Sequence, residues 1–177
     1  MTYKRILVPV DGSPTSNKGM QEALRLAKAS RARLRLLHVV EQTIAFGAPE
    51  IAVDIGPILD AQRAAARRRL AAIERRARRP GVRLDTALVE NFGMRVADAV
   101  IGEARRWRAD LVVMGTHGRR GLQRALVGSD AELVVRYSPV PVLLVPPGGR
   151  RRRCGAAPSA GPSSRCAGAT GASPRAA

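Results

Sequence analysis

Residues 111–129 read LVVMGTHGRRGLQRALVGS. The first four are apolar throughout, which suits a strand buried on both faces at the centre of a parallel sheet. Gly115 follows at once, Gly118 comes after two intervening residues, and Gly128-Ser129 appears after nine more. A buried strand, a glycine-rich segment and a helix start therefore stand in direct succession. The same succession recurs in shorter form near the N-terminus. Lys4–Val10 (KRILVPV) is an apolar run ending at the turn Asp11-Gly12. Ser13-Pro14 then offers a hydroxyl N-cap and a proline at the first helical position.

Outward from these two anchors, strand and helix alternate. Met20, Ala23, Leu24 and Ala27 make one apolar helical face. Arg33–Val40 (RLRLLHVV) reads as a second strand. Residues 41–57 read as a loop punctuated by Gly47, Pro49, Gly56 and Pro57. Ile58–Arg79 follows as a helix with Leu59, Ala66, Leu70, Ile73 and Ala77 on one face, ended by Pro80-Gly81. From Val82 to Leu88 apolar and polar residues alternate, as in a half-exposed edge strand. Val96, Val100 and Trp107 mark a third helix, and a last helix starts near Ser129 and runs to Tyr137. Pro139 and Pro141 lead into Val142–Val145, a strand suited to the other edge.

Five strands alternating with helices predict an α/β fold with a doubly wound, five-stranded parallel sheet. With the first and fourth strands as central neighbours, the order is 3-2-1-4-5. Ligands bind such sheets beyond the carboxyl ends of the strands, where the winding reverses. Asp11-Gly12 and Gly115-Thr116-His117-Gly118 fall at that point.

Composition narrows the function. The chain has 177 residues, with 45% hydrophobic residues, enough for one packed domain. No apolar run approaches a membrane span, and the N-terminal run lacks a cleavage-site pattern, so a cytoplasmic protein without a signal peptide is expected. Cys154 and Cys166 both lie near the C-terminus, which leaves the first 153 residues without a disulfide framework or a cysteine zinc site. His38 and His117 are the only histidines. His38, inside an apolar strand, reads as a satisfied core residue, and no acid–base pair can be named around His117. No catalytic residue is assigned.

Lys and Arg number 31 against 14 Asp and Glu, a formal charge of +17. Residues 147–177 hold six arginines and no acid, leaving +11 for residues 1–146. These last residues are Pro, Gly, Ser, Ala and Arg rich, and read as a disordered tail behind a domain of residues 1–146. A second basic cluster, Arg63–Arg79, reads first as a solvated helix face. Arginine outnumbers lysine 28 to 3, so abundance alone gives no single arginine a role. Aromatic residues make up 3%, which argues against a surface that stacks bases, and nucleic acid is not the expected partner.

The glycine segment carries the chemistry. Phosphates need backbone N–H groups at close range, and glycine clears the approach. Ser129 would cap the last helix or donate its hydroxyl to a phosphate, beside the partial positive charge of the helix N-terminus. A plain strand-to-helix loop with glycines for turning accounts equally for the spacing. There is no GxxxxGK[ST], and the first strand ends in Asp11-Gly12-Ser13 instead of GxGxxG, so neither a P-loop nor a dinucleotide fingerprint is present.

Together, ILVPVDGS, LLHVV, MGTHGRRGL and VGSDAELVVRYSPVPVLLV resemble the universal stress protein family over Lys4–Val145. That family is Rossmann-like, with the arrangement of adenine nucleotide alpha hydrolases. Its ATP binders carry G-x2-G-x9-G-[ST], matched here by Gly115, Gly118, Gly128 and Ser129. The resemblance implies that Asp11 accepts hydrogen bonds from ribose, where the plain alternative is that it only caps the first helix, and that Pro9 and Val10 shape the adenine pocket. Val39 would hold the adenine edge through its backbone. Met114, Gly115 and Thr116 would border ribose and phosphates, with Gly118, Gly128, Ser129 and the backbone of Asp130 cradling the phosphates. Arg119 and Arg124 would add charge, unless they are solvated loop residues.

Asp130 departs from the family, which usually has an apolar residue there. Its carboxylate suits the helix dipole but repels a triphosphate unless Mg2+ or Mn2+ bridges them. The resemblance further implies a homodimer through Val142–Val145, and a stress-response role in which ATP alters the protein's dimer or partners. A slow ATPase or nucleotidyl transferase is the second reading. A nucleic-acid binder using Arg63–Arg79 and Arg150–Arg153 is the third.

Overall fold

A computed structural model describes residues 2–41, 55–116 and 128–147. The tail from residue 148 and most of the loop after the second strand lie outside these residues, so the readings made for them stand as sequence expectations.

The elements run β1 (Arg5–Pro9), α1 (Pro14–Ser30), β2 (Arg33–Glu41), α2 (Gly56–Ala77), β3 (Arg83–Asn91), α3 (Val96–Arg106), β4 (Leu111–Gly115), α4 (Ser129–Tyr137) and β5 (Val142–Val145). All neighbouring strands are parallel and the order is β3-β2-β1-β4-β5, as the alternation requires.

Strand periodicity sorts the core into two layers. Ile6, Val8, Val10, Leu34, Leu36, Leu111 and Val113 face α1 and α2. Leu7, Leu37, Val112 and Met114 face α3 and α4. The second layer also holds an ion network. Arg35 on β2 bonds Asp85 at 2.8 and 2.9 Å and the buried Glu103 at 2.9 Å, and its guanidinium lies 4.7 Å from the Trp107 ring centroid. Hydrogen bonds to Asp85, with Glu103 adding to them, outweigh burial and hold Arg35 above its ordinary pKa.

Helix ends differ from the sequence reading in two places. Gly56 and Pro57 belong to α2 instead of punctuating the loop, because proline's fixed φ suits a first helical turn. At the other end α2 stops at Ala77, two residues short of Arg79. Pro80 disfavours the helical conformation before it and has no N–H to give the Arg76 carbonyl. The Arg79 guanidinium folds back and supplies that carbonyl at 2.9 Å. The third strand also runs past Leu88, to Asn91, along a β2 that ends at Glu41.

Candidate functional site

The first and fourth strands are tied at their amino ends and parted at their carboxyl ends. Asp110 accepts from the N–H groups of Lys4 at 2.6 Å and Arg5 at 3.0 Å, while its own N–H donates to the Arg5 carbonyl. The β1–β4 ladder then holds at Ile6↔Leu111 and Leu7↔Val112 only, against five rungs between β1 and β2. Residues of a parallel strand bond alternately to either neighbour. Arg5 bonds towards β4 and Val10 donates to Leu37 of β2, so Pro9 turns towards β4 with no N–H to give. The ladder stops there, at the point where the winding reverses and sheets of this kind carry their ligand crevice.

Two chain crossings line it. After β1, Gly12 takes φ +82°, a left-handed conformation that favours glycine. Asp11 Oδ1 accepts from Ser13 N–H at 2.9 Å, and Asp11 N–H donates to Ser16 Oγ at 3.2 Å. Ser13 caps α1, its Oγ accepting from Ser16 N–H at 3.1 Å. Capping α1 is therefore the work of Ser13, and the partly exposed Asp11 carboxylate sits beside the crevice. The sequence reading missed Ser16, although Ser13-x-x-Ser16 ahead of an apolar face was a visible signal.

After β4, Thr116 donates its N–H to Val145 and accepts from the N–H of Gly128 at 2.8 Å. That bond joins the two described ends of the glycine segment and sets the start of α4 beside the end of β4. Ser129 does not cap α4, contrary to one of its two expected roles. Gly128 is the N-cap, without a side-chain bond, and Ser129 is the first helical residue and exposed. Glu132 N–H makes the first bond back to Gly128. The N–H groups of Ser129, Asp130 and Ala131 thus precede the intrahelical ladder, and a helix start of this kind attracts anions.

The remaining predicted residues fall as follows. Pro9, Val39 and Met114 lie on the α3/α4 side of the sheet, with the Met114 side chain in the core, so only its backbone faces the crevice. Val10 is buried on the other side. His38 is a buried core histidine, its Nδ1 2.6 Å from the Val10 carbonyl. Asp130 is half-buried in the first turn of α4. Gly118, His117, Arg119 and Arg124 lie outside the described residues.

Gly115 has a reason of its own. A Cβ there would sit 2.9 Å from the Thr15 backbone, and one on Gly19 would sit 3.2 Å from Gly115 N. Helix α1 and strand β4 pack backbone to backbone, so this glycine is required whether or not a phosphate binds. Among the described residues no three His, Cys, Asp or Glu gather as a metal site, and no helix is long and apolar enough to cross a membrane.

The profile of the universal stress protein family matches residues 2–146. The chain belongs to this family. A universal stress protein of Methanocaldococcus jannaschii is 33% identical over 144 residues, which are 81% of this chain and 82% of that one. The solved structure of a universal stress protein family member from Burkholderia pseudomallei is 36% identical with a TM-score of 0.65, covering 82% of this chain and 97% of that one. Another universal stress protein, solved in complex with cAMP, is 26% identical with a TM-score of 0.56, covering 84% of this chain and all of that one. In this chain the β1–β4 ladder ends after two rungs, and among the described residues no side chain caps α4.

Proposed function

We propose that this universal stress protein binds ATP, with Mg2+ or Mn2+, in the crevice between the carboxyl ends of β1 and β4. The single observation behind this reading is that the Thr116–Gly128 bond sets an uncapped helix start beside that crevice. The Asp11 carboxylate supplies a ribose acceptor, and Pro9 with the backbones of Val10 and Val39 forms the adenine side. The phosphates lie along Met114, Gly115, Thr116 and Gly118 and reach Gly128, Ser129 and Asp130. The cAMP complex of a relative supports an adenine nucleotide.

The protein works as a nucleotide-dependent regulator in the stress response, in the cytoplasm, as a homodimer. The edge strand β5 suits pairing, since among the described residues no strand pairs with its outer row of backbone groups. Leu143 on β5 and Val135 and Tyr137 on α4 are exposed apolar side chains that such a dimer would cover.

Mass spectrometry of the denatured purified protein should show an adenine nucleotide, and calorimetry should give a micromolar ATP affinity, about 8 kcal/mol. Gly118→Val should weaken that affinity at least about tenfold, or ~1.4 kcal/mol, by placing a side chain in the phosphate path. An unchanged affinity in a folded Gly118→Val protein would refute the placement.

A further inference from the structure

Helix α2 sorts its charges by side. Ala66, Leu70, Ile73 and Ala77 form its buried stripe. At about 100° per residue, Arg68 and Arg75 fall opposite that stripe, on the crest, and Arg69 and Arg76 form a second row on one flank. The helix's acids, Asp60 and Glu74, lie on the other flank, where Arg63 and Arg78 hold them at 3.1 and 2.6 Å. Arg63 also bonds Glu90 of β3 at 2.7 Å. None of Arg68, Arg69, Arg75 and Arg76 forms an ion pair among the described residues, and all four are exposed.

We propose that this face of α2 binds the phosphate backbone of double-stranded DNA. Two parallel rows, with about 10 Å between arginines along each, present guanidinium forks whose geometry fits phosphate oxygens. From Arg67 to Arg79 no aromatic or large apolar side chain is exposed, which removes the stacking platform a single strand needs. It also removes the apolar face that would enter an anionic lipid surface. A B-form major groove, about 12 Å wide, admits an α-helix, whereas the A-form groove of duplex RNA is too narrow. Contacts of this kind fix orientation and carry no base sequence. The net charge of +17 adds long-range attraction. The sequence alone pointed to a solvated face because it did not show the acids drawn onto one flank.

The test follows a fluorescent 20-base-pair duplex of arbitrary sequence by anisotropy, with the full chain between roughly 50 and 200 mM salt. The variant Arg68→Gln/Arg75→Gln/Arg76→Gln should bind at least about tenfold more weakly, with a salt slope reduced by about 2 to 3. A control, Arg95→Gln/Arg105→Gln/Arg136→Gln, removes the same charge from the opposite layer and should lose less than about threefold. Thermal midpoints confirm that both are folded. Equal losses in the two variants would show net charge alone at work. Unchanged binding in the α2 variant would place the contact elsewhere, and no duplex binding by the parent would end the proposal. So would loss of phosphatidylserine-vesicle binding with duplex binding intact.

Discussion

Both central strands end at the same crevice, yet the chain leaves them in different ways. After β1 the turn is closed by side chains: Asp11, Ser13 and Ser16 exchange three hydrogen bonds, and α1 begins capped. After β4 the described closure is backbone only, from Gly128 N–H to Thr116 O, and α4 begins without a side-chain cap. Among the described residues, side chains take up donors at the first helix start and none does so at the second. A helix N-terminus is an anion site only in the second condition. The first crossing therefore offers its carboxylate, suited to hydroxyl groups, and the second its N–H groups, suited to phosphate.

The two outer glycines of the phosphate motif break this comparison most sharply. Gly115→Val should cost about 3 kcal/mol or more, because overpacking here meets the Thr15 backbone, which has no rotamer to yield. For a domain of this size that lowers the thermal midpoint by roughly 6–12 °C. Gly128 sits at φ −62° and ψ 148°, which any residue adopts, so Gly128→Ala should change stability by less than about 1 kcal/mol. Calorimetric melting of both settles it. Equal midpoints would mean that Gly115 is not held by packing.

The sequence made one of these roles visible and hid the other. The G-x2-G-x9-G-S spacing marks both glycines as phosphate residues, but the contact of Gly115 with Thr15 joins positions a hundred residues apart. Periodicity could place β1 and β4 at the centre, since buried strands are apolar on both faces, and Ser13-Pro14 announced α1 by local chemistry alone. Local chemistry failed where two solutions compete. Gly128 and Ser129 each suit an N-cap, and the bond to Thr116 fixes the choice of Gly128. The Arg35–Glu103–Trp107 cluster was invisible for the reason that hid the Gly115 contact: its members meet only after the sheet forms. Gly118, the middle residue of the motif, lies outside the described residues and is reached by the ATP titration alone.

The two serines sharpen the comparison at smaller scale. Ser13→Ala removes an N-cap bond and should cost about 1 kcal/mol of stability by denaturant titration. Ser129→Ala removes no cap and should cost less than about 0.5 kcal/mol. If the α4 start holds phosphate, Ser129→Ala instead weakens ATP binding by about threefold to tenfold, ~0.7–1.4 kcal/mol. A stability loss in Ser129→Ala matching that of Ser13→Ala would mean the two helix starts are capped alike.

The last comparison concerns Asp130, in the first turn of α4. Its charge favours the helix dipole and at the same time opposes a bound triphosphate. Two like charges about 4 Å apart repel by on the order of 1 to 4 kcal/mol, depending on the effective dielectric. A hard divalent cation accepts carboxylate and phosphate oxygens together and turns that repulsion into a bridge. ATP affinity should therefore depend on Mg2+ or Mn2+ more strongly in the parent than in Asp130→Val, and the variant should bind metal-free ATP more tightly. Titrating both with ATP, with and without chelator, separates the two roles of the carboxylate. Equal metal dependence would leave Asp130 serving the helix dipole alone, and the crevice would then take its nucleotide without the cation's help at this position.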